Sequence, residues 1–87
     1  MPDKKQFSDE IRRLFRAAEL RGTPSIEVNS GKVHRRLGDY PGMNHQMPSC
    51  CQAMYDELNP AKDQIVSRPR KGYGASLTIR YSLPRER

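Results

Sequence analysis

Arg68, Arg70 and Lys71 crowd into one short run beside Gly72 and Gly74, with Tyr73 between the two glycines. Guanidinium and ammonium groups so placed suit the anionic oxygens of a phosphate backbone, whose neutralisation releases condensed counterions. Glycines let the main chain approach such a partner closely, and a tyrosine ring can pack against a sugar. From Arg68 to the last residue the only acid is Glu86. The run therefore points to contact with a phosphate-bearing polymer.

The other reactive groups are two adjacent thiols, Cys50 and Cys51, and two imidazoles, His34 and His45. Zinc is disfavoured, because adjacent helical residues diverge by about 100° whereas structural sites use ligand pairs separated by two or more residues. A vicinal disulfide strains the backbone and staples nothing distant, so reduced thiols are expected. A cysteine nucleophile activated at a helix start, with His45 as base, lacks an oxyanion hole, an orienting carboxylate and a phosphate cradle. No H-E-x-x-H, G-x-S-x-G or Walker-type pattern occurs. The expectation is a protein without enzymatic activity, metal, cofactor or small-molecule substrate.

Elements that would position the basic run follow from periodicity. Phe7, Ile11, Leu14, Phe15 and Ala18 recur at helical spacing, with Asp3 or Ser8 to cap the helix and Gly22 to end it. Ile26 and Val28 alternate with Glu27 in a brief strand over 25–28. Asn29 or Ser30 can then cap a second helix that turns Val33 and Leu37 inward, leaves Lys32, Arg35 and Arg36 exposed, and stops at Gly38. A loop around Pro41-Gly42 leads to a third helix starting between His45 and Pro48 and ending at Asn59-Pro60. Met47, Cys50, Cys51, Met54 and Leu58 form its apolar stripe, and its acids, Asp56 and Glu57, lie at the far end. Gln64 to Leu83 reads as two strands joined by the basic tip. In the second, Leu77, Ile79, Tyr81 and Leu83 face one side and Ser76, Thr78, Arg80 and Ser82 the other. An isolated hairpin is marginal in water, so that apolar face must close over the helices.

The 87 residues are 34% hydrophobic and 30% charged, with 16 Lys and Arg against 10 Asp and Glu and a net charge of +6. This size predicts one domain over 6–84, with flexible ends at 1–5 and 85–87. The positive excess favours nucleic acid, an acidic protein surface or anionic lipid. No apolar run reaches the ~20 residues of a membrane span, and the start MPDKKQFSDE lacks a signal peptide's apolar segment. A cytoplasmic location is expected, with no membrane partner.

The order helix, strand, helix, helix, strand, strand, with a basic hairpin last, resembles the winged helix-turn-helix family over Phe7 to Leu83. The resemblance implies an α+β fold of three helices and a small three-stranded antiparallel sheet, whose hairpin is the wing. It departs from the family in the long connection GDYPGMNHQMP between the second and third helices. It further implies double-stranded DNA as partner and a role in transcription regulation. The third helix would present Asn44, His45, Gln46, Ser49 and Gln52 to the major groove. Arg68, Arg70, Lys71 and Tyr73 of the wing, with Arg80, would meet backbone or minor groove, while Lys32, Arg35 and Arg36 flank the phosphates. Because the third helix has no Lys or Arg, a protein-interaction module docking on an acidic partner is the alternative. RNA binding is a third possibility, for which the chain lacks the aromatic stacking platform that single-strand readers use, aromatics being 7% of its residues.

Overall fold

In the computed structural model, which describes residues 3–37 and 47–85, the first apolar stripe forms α1 (Lys4–Leu20). Asp3 rather than Ser8 caps it. Its Oδ1 accepts the Gln6 N–H at 2.8 Å while Gln6 Oε1 accepts the Asp3 N–H at 2.9 Å, a reciprocal capping box. The helix ends where Gly22 N–H returns to the Glu19 carbonyl and Thr23 N–H to that of Ala18. Phe7, Ile11, Phe15 and Ala18 are buried along its inner face.

The chain continues through β1 (Ser25–Asn29), α2 (Ser30–Leu37), α3 (Met47–Glu57), β2 (Gln64–Ser67) and β3 (Thr78–Ser82). The result is an α+β domain of three helices and one antiparallel sheet in the order β1-β3-β2. Its strand at the sequence's end is thus central in space. The alternation read from the sequence holds there: Leu77, Ile79 and Tyr81 are fully buried, and Arg80 is exposed. Tyr81 joins the layers, its ring edge-on to Phe15 of α1 at 4.8 Å and its hydroxyl donating to the Met54 carbonyl of α3 at 2.7 Å. A bulge between Ile65 and Ser67 loosens the β2–β3 pairing just before the basic tip, turning the chain out of the sheet.

Both cysteines lie in the core with Met47, Ala53 and Met54. His34 is buried too, its ring 4.9 Å from that of Phe7. Among the described residues no cluster of His, Cys, Asp or Glu is arranged to hold a metal ion. Nor is any helix among them long and apolar enough to cross a membrane. The Pro41-Gly42 loop and the Gly38 stop lie outside the described residues.

The chain ends expected to be loose are tied down over part of their length. Lys4 and Lys5 belong to α1, and Lys4 Nζ lies 2.6 Å from an Asp56 oxygen on α3. Arg85 reaches inward: its guanidinium lies 5.0 Å from the Phe15 ring centroid and 5.2 Å from that of Tyr81. It donates to Asp63 Oδ1 at 2.7 Å and to the Glu57 carbonyl at 2.6 Å. Asp63 also accepts the N–H groups of Ser82 and Asn59, each at 2.8 Å. Burial raises the Asp63 carboxyl pKa, but the hydrogen bonds from Arg85, Ser82 and Asn59 outweigh it and hold the group below its ordinary value.

Asp63 therefore contributes stability that is fully present above the ordinary carboxylate range and lost as pH falls toward its lowered value. Urea unfolding of Asp63→Asn is expected to show a loss on the order of 3 kcal/mol at neutral pH and a flatter acid limb than the wild type. An unchanged acid limb would remove Asp63 from this role.

Candidate nucleic-acid interface

The basic tip is built from two consecutive turns. Gly72 N–H closes the first on the Pro69 carbonyl at 2.9 Å, which leaves Arg70 and Lys71 as its central residues, pointing out. Gly72 has φ of +86°, the left-handed region that a side chain disfavours. Leu77 N–H returns to the Gly74 carbonyl in the second turn, which delivers Leu77 to the core.

Far from being a free arm, this loop is bolted to α2 and α3. Gly74 is the bolt: its N–H reaches Cys51 Sγ at 3.3 Å, and its carbonyl accepts from Ser30 Oγ. Beside it the Tyr55 hydroxyl donates to the Gly72 carbonyl, and the Tyr73 hydroxyl donates to Gln52 Oε1 at 3.0 Å. The two tyrosine rings meet edge to face at 5.8 Å. At the start of α2, Asn29 Nδ2 bonds the Ala75 carbonyl at 3.1 Å and the Thr78 hydroxyl at 3.0 Å. A Cβ on Gly31 would stand 3.1 Å from the Ala75 oxygen, so a side chain there would crowd the close seating of loop on helix.

Charge separates the site from the rest of the surface. Asp9, Glu10, Glu27, Asp56, Glu57 and Asp63 each pair with a Lys or Arg, Glu19 accepts the Arg85 N–H, and Asp3 caps α1. Hydrogen bonding from Arg13, opposed by partial burial and aided by the charges of Arg13 and Arg36, holds Glu10 ionised below its usual range. Arg68, Arg70 and Lys71 have no carboxylate partner among the described residues. Arg16, Arg21 and Lys32 share that property, but only the tip gathers three such cations within four residues.

The residues singled out in the sequence accordingly divide. Arg68, Arg70, Lys71 and the half-exposed Tyr73 come together at the tip, with Gln52 behind Tyr73. Gln52 is already engaged, since its Nε2 also donates to Asp56 Oδ1 at 2.9 Å. Ser49 is partly exposed in the first turn of α3, while Asn44, His45 and Gln46 lie outside the described residues. Arg36 points to α1, with Nε 2.8 Å from Glu10, and Arg80 is spent on Glu27 at 2.8 Å across β1–β3. Lys32 turns toward a groove beside Leu14 and Ile26, and Arg35 is exposed. The uniform basic face expected on α2 is therefore split, because helix α2 wedges between α1 and the loop. Tyr55 was missed as a site residue; its place one turn beyond Gln52 on α3 was the available signal.

The thiols serve this scaffold as protonated packing groups. Burial, then proximity to Cys51, pushes the Cys50 thiol up to about 12, and burial likewise raises Cys51 against the opposing bonds from Gly74 and Ser30. Compared with known proteins, the chain matches no family model, no curated protein and no solved structure.

Tyr55→Phe deletes the bond to Gly72 and is expected to cost about 1 kcal/mol while speeding amide exchange at Gly72 and Gly74 more than in β3. Uniform acceleration through the domain would mean that the hydroxyl does not act locally. At pH 8 a colorimetric disulfide reagent should label native Cys50 and Cys51 far more slowly than the same thiols in urea. Equal rates would show that burial does not protect them.

Proposed function

We propose that the chain is a small winged helix-turn-helix protein that binds double-stranded DNA as a regulator, with the β2–β3 loop as its wing. The observation that carries this reading is the acid-free stretch Arg68–Lys71, three cations with no carboxylate partner among the described residues while every described carboxylate elsewhere is engaged. Its mounting on α3 supports the reading further, because the tip and the start of α3 then present to one duplex together. The sheet order β1-β3-β2 with the hairpin at its end is consistent with the same family.

In this mechanism the tip meets phosphates and α3 faces the major groove. Because the loop's main chain is already held by α2 and α3, binding has to order the cationic side chains but not the backbone that carries them. Ser49 supplies a hydroxyl to the groove, and Gln52 keeps one amide N–H and one oxygen lone pair beyond those given to Asp56 and Tyr73. Sequence preference is consequently modest in this part of α3, and affinity is mainly electrostatic.

A mobility-shift titration at rising salt tests the reading. The wild type should bind a random duplex at low salt with a log–log slope corresponding to roughly 3 to 6 released counterions. Arg70→Glu with Lys71→Glu should weaken binding on every sequence, whereas Arg80→Ala, which removes a cation already paired, should change it little. Absence of duplex binding by the wild type at low salt would end the proposal.

One observation favours a second reading, a protein-interaction module. Among its described residues α3 carries no Lys or Arg, and it exposes Asp56 beside Gln52. Recovery of a stoichiometric protein partner that survives nuclease and is lost in Arg70→Glu would favour this reading.

A further inference from the structure

Strand β1 is an edge of the sheet, and the hydrogen bonds at its two ends show which of its peptide groups look outward. Leu83 N–H donates to the Pro24 carbonyl and Ser30 N–H to the Leu77 carbonyl, both at 2.9 Å. With Ile26 opposite Tyr81 and Val28 opposite Ile79, antiparallel alternation turns the peptide groups of Pro24, Ile26, Val28 and Ser30 toward β3. Those of Ser25 and Glu27 therefore point away from the sheet, where no other strand lies among the described residues. An edge of this kind is a template for one more strand.

Along this edge runs a groove of about 210 Å3 between α1 and α2. Leu14, Ile26, Val28 and Val33 supply its apolar lining, and Lys32 and Arg36, one helical turn apart, stand among its polar residues. Its one lining acid, Glu27, is held by Arg80 on the neighbouring strand, and Glu10, which anchors Arg36, is shared with Arg13. Lys32 has no carboxylate partner among the described residues. The groove thus offers unpaired main-chain groups, an apolar seat and a positive rim in one place, on residues that the basic tip does not use.

We propose that β1 is a docking edge for an extended acidic segment of a partner protein, which adds as a fourth strand, seats an apolar side chain against Leu14, Ile26 and Val33, and sets a carboxylate on Lys32. Main-chain bonds to Ser25 and Glu27 supply affinity, and the alternate side chains supply selection. Charge decides against a second copy of this chain as the occupant. Antiparallel pairing of β1 with itself about Glu27 sets two glutamates opposite each other and leaves Lys32 without an anion.

The site is independent of DNA binding, so its test needs no nucleic acid. A short dye-labelled peptide carrying valine and glutamate at successive groove-facing alternate positions, with threonine between them, is titrated by fluorescence anisotropy against wild type, Glu27→Ala, Glu27→Pro and Lys32→Glu, each first checked by thermal melting. Glu27→Pro removes an outward N–H without touching the β3 ladder, and an outward position on an edge strand is one that accepts proline. Wild type and Glu27→Ala should bind alike, and Glu27→Pro should bind at least about tenfold more weakly. Lys32→Glu should lose this peptide and gain its counterpart with lysine in place of each glutamate. A peptide methylated on alternate amide nitrogens should fail against the wild type, an arm that stands even if the proline variant does not fold. Failure of the wild type to bind the unmethylated peptide, or equal binding of its methylated form, would overturn the proposal. So would self-association abolished by Glu27→Pro, which would make a second copy the occupant.

Discussion

Burial of one face of β3 is the constraint from which the rest of this domain follows. Leu77, Ile79 and Tyr81 are each fully buried, and β3 alone pairs with both other strands. Because side chains alternate with period two, removing that face from water fixes the register of the whole strand; a slip of one residue would bury Arg80 and expose Tyr81. Tyr81 then constrains the helices as well, since its ring needs Phe15 of α1 and its buried hydroxyl needs the Met54 carbonyl of α3. The ion pair of Asp63 with Arg85 closes the same layer from below, joining the α3–β2 connection to the end of β3.

At the other end of β3 the chain must leave the core, and how it leaves produces the basic tip. Leu77 is buried while Gly74, three residues earlier, is clamped by Ser30 and Cys51, so the loop has little freedom between them. The cations of the preceding turn are thereby displayed outward at a fixed place relative to α3. The same economy explains the adjacent thiols: Cys50 meets the Ser30 carbonyl and Cys51 meets Gly74, so both serve the joint between helices and loop. A small polarisable group that packs as a hydrophobe and bonds weakly suits such a joint.

Strand order also leaves β1 on the outside, with its own consequence. The central position of β3 turns the peptide groups of Ser25 and Glu27 outward, on the side of the sheet where α1 and α2 diverge. The basic tip and the β1 edge are therefore products of one topology, but they offer different chemistry: charge at one, main-chain hydrogen bonding and an apolar seat at the other.

The sequence by itself determined the elements and their inward faces. The stripe Phe7, Ile11, Phe15, Ala18 and the alternation Leu77, Ile79, Tyr81 are local patterns whose burial follows from period alone. It also located the cationic tip, since turn chemistry and acid-free composition are likewise local. Pairing was not legible, because an ion pair or hydrogen bond joins residues that only the fold makes neighbours. Arg36 reaches Glu10 across 26 positions, Arg80 reaches Glu27 across 53, and Tyr73 reaches Gln52 across 21. Exposed cations that look equivalent along the chain are thus neutralised or left free by tertiary contacts. The anchoring of Arg85 was invisible for the same reason, as a terminal arginine reads as solvated until Phe15, Tyr81 and Asp63 are brought around it. Periodicity decides which faces hide from water; only the tertiary structure decides which charges meet.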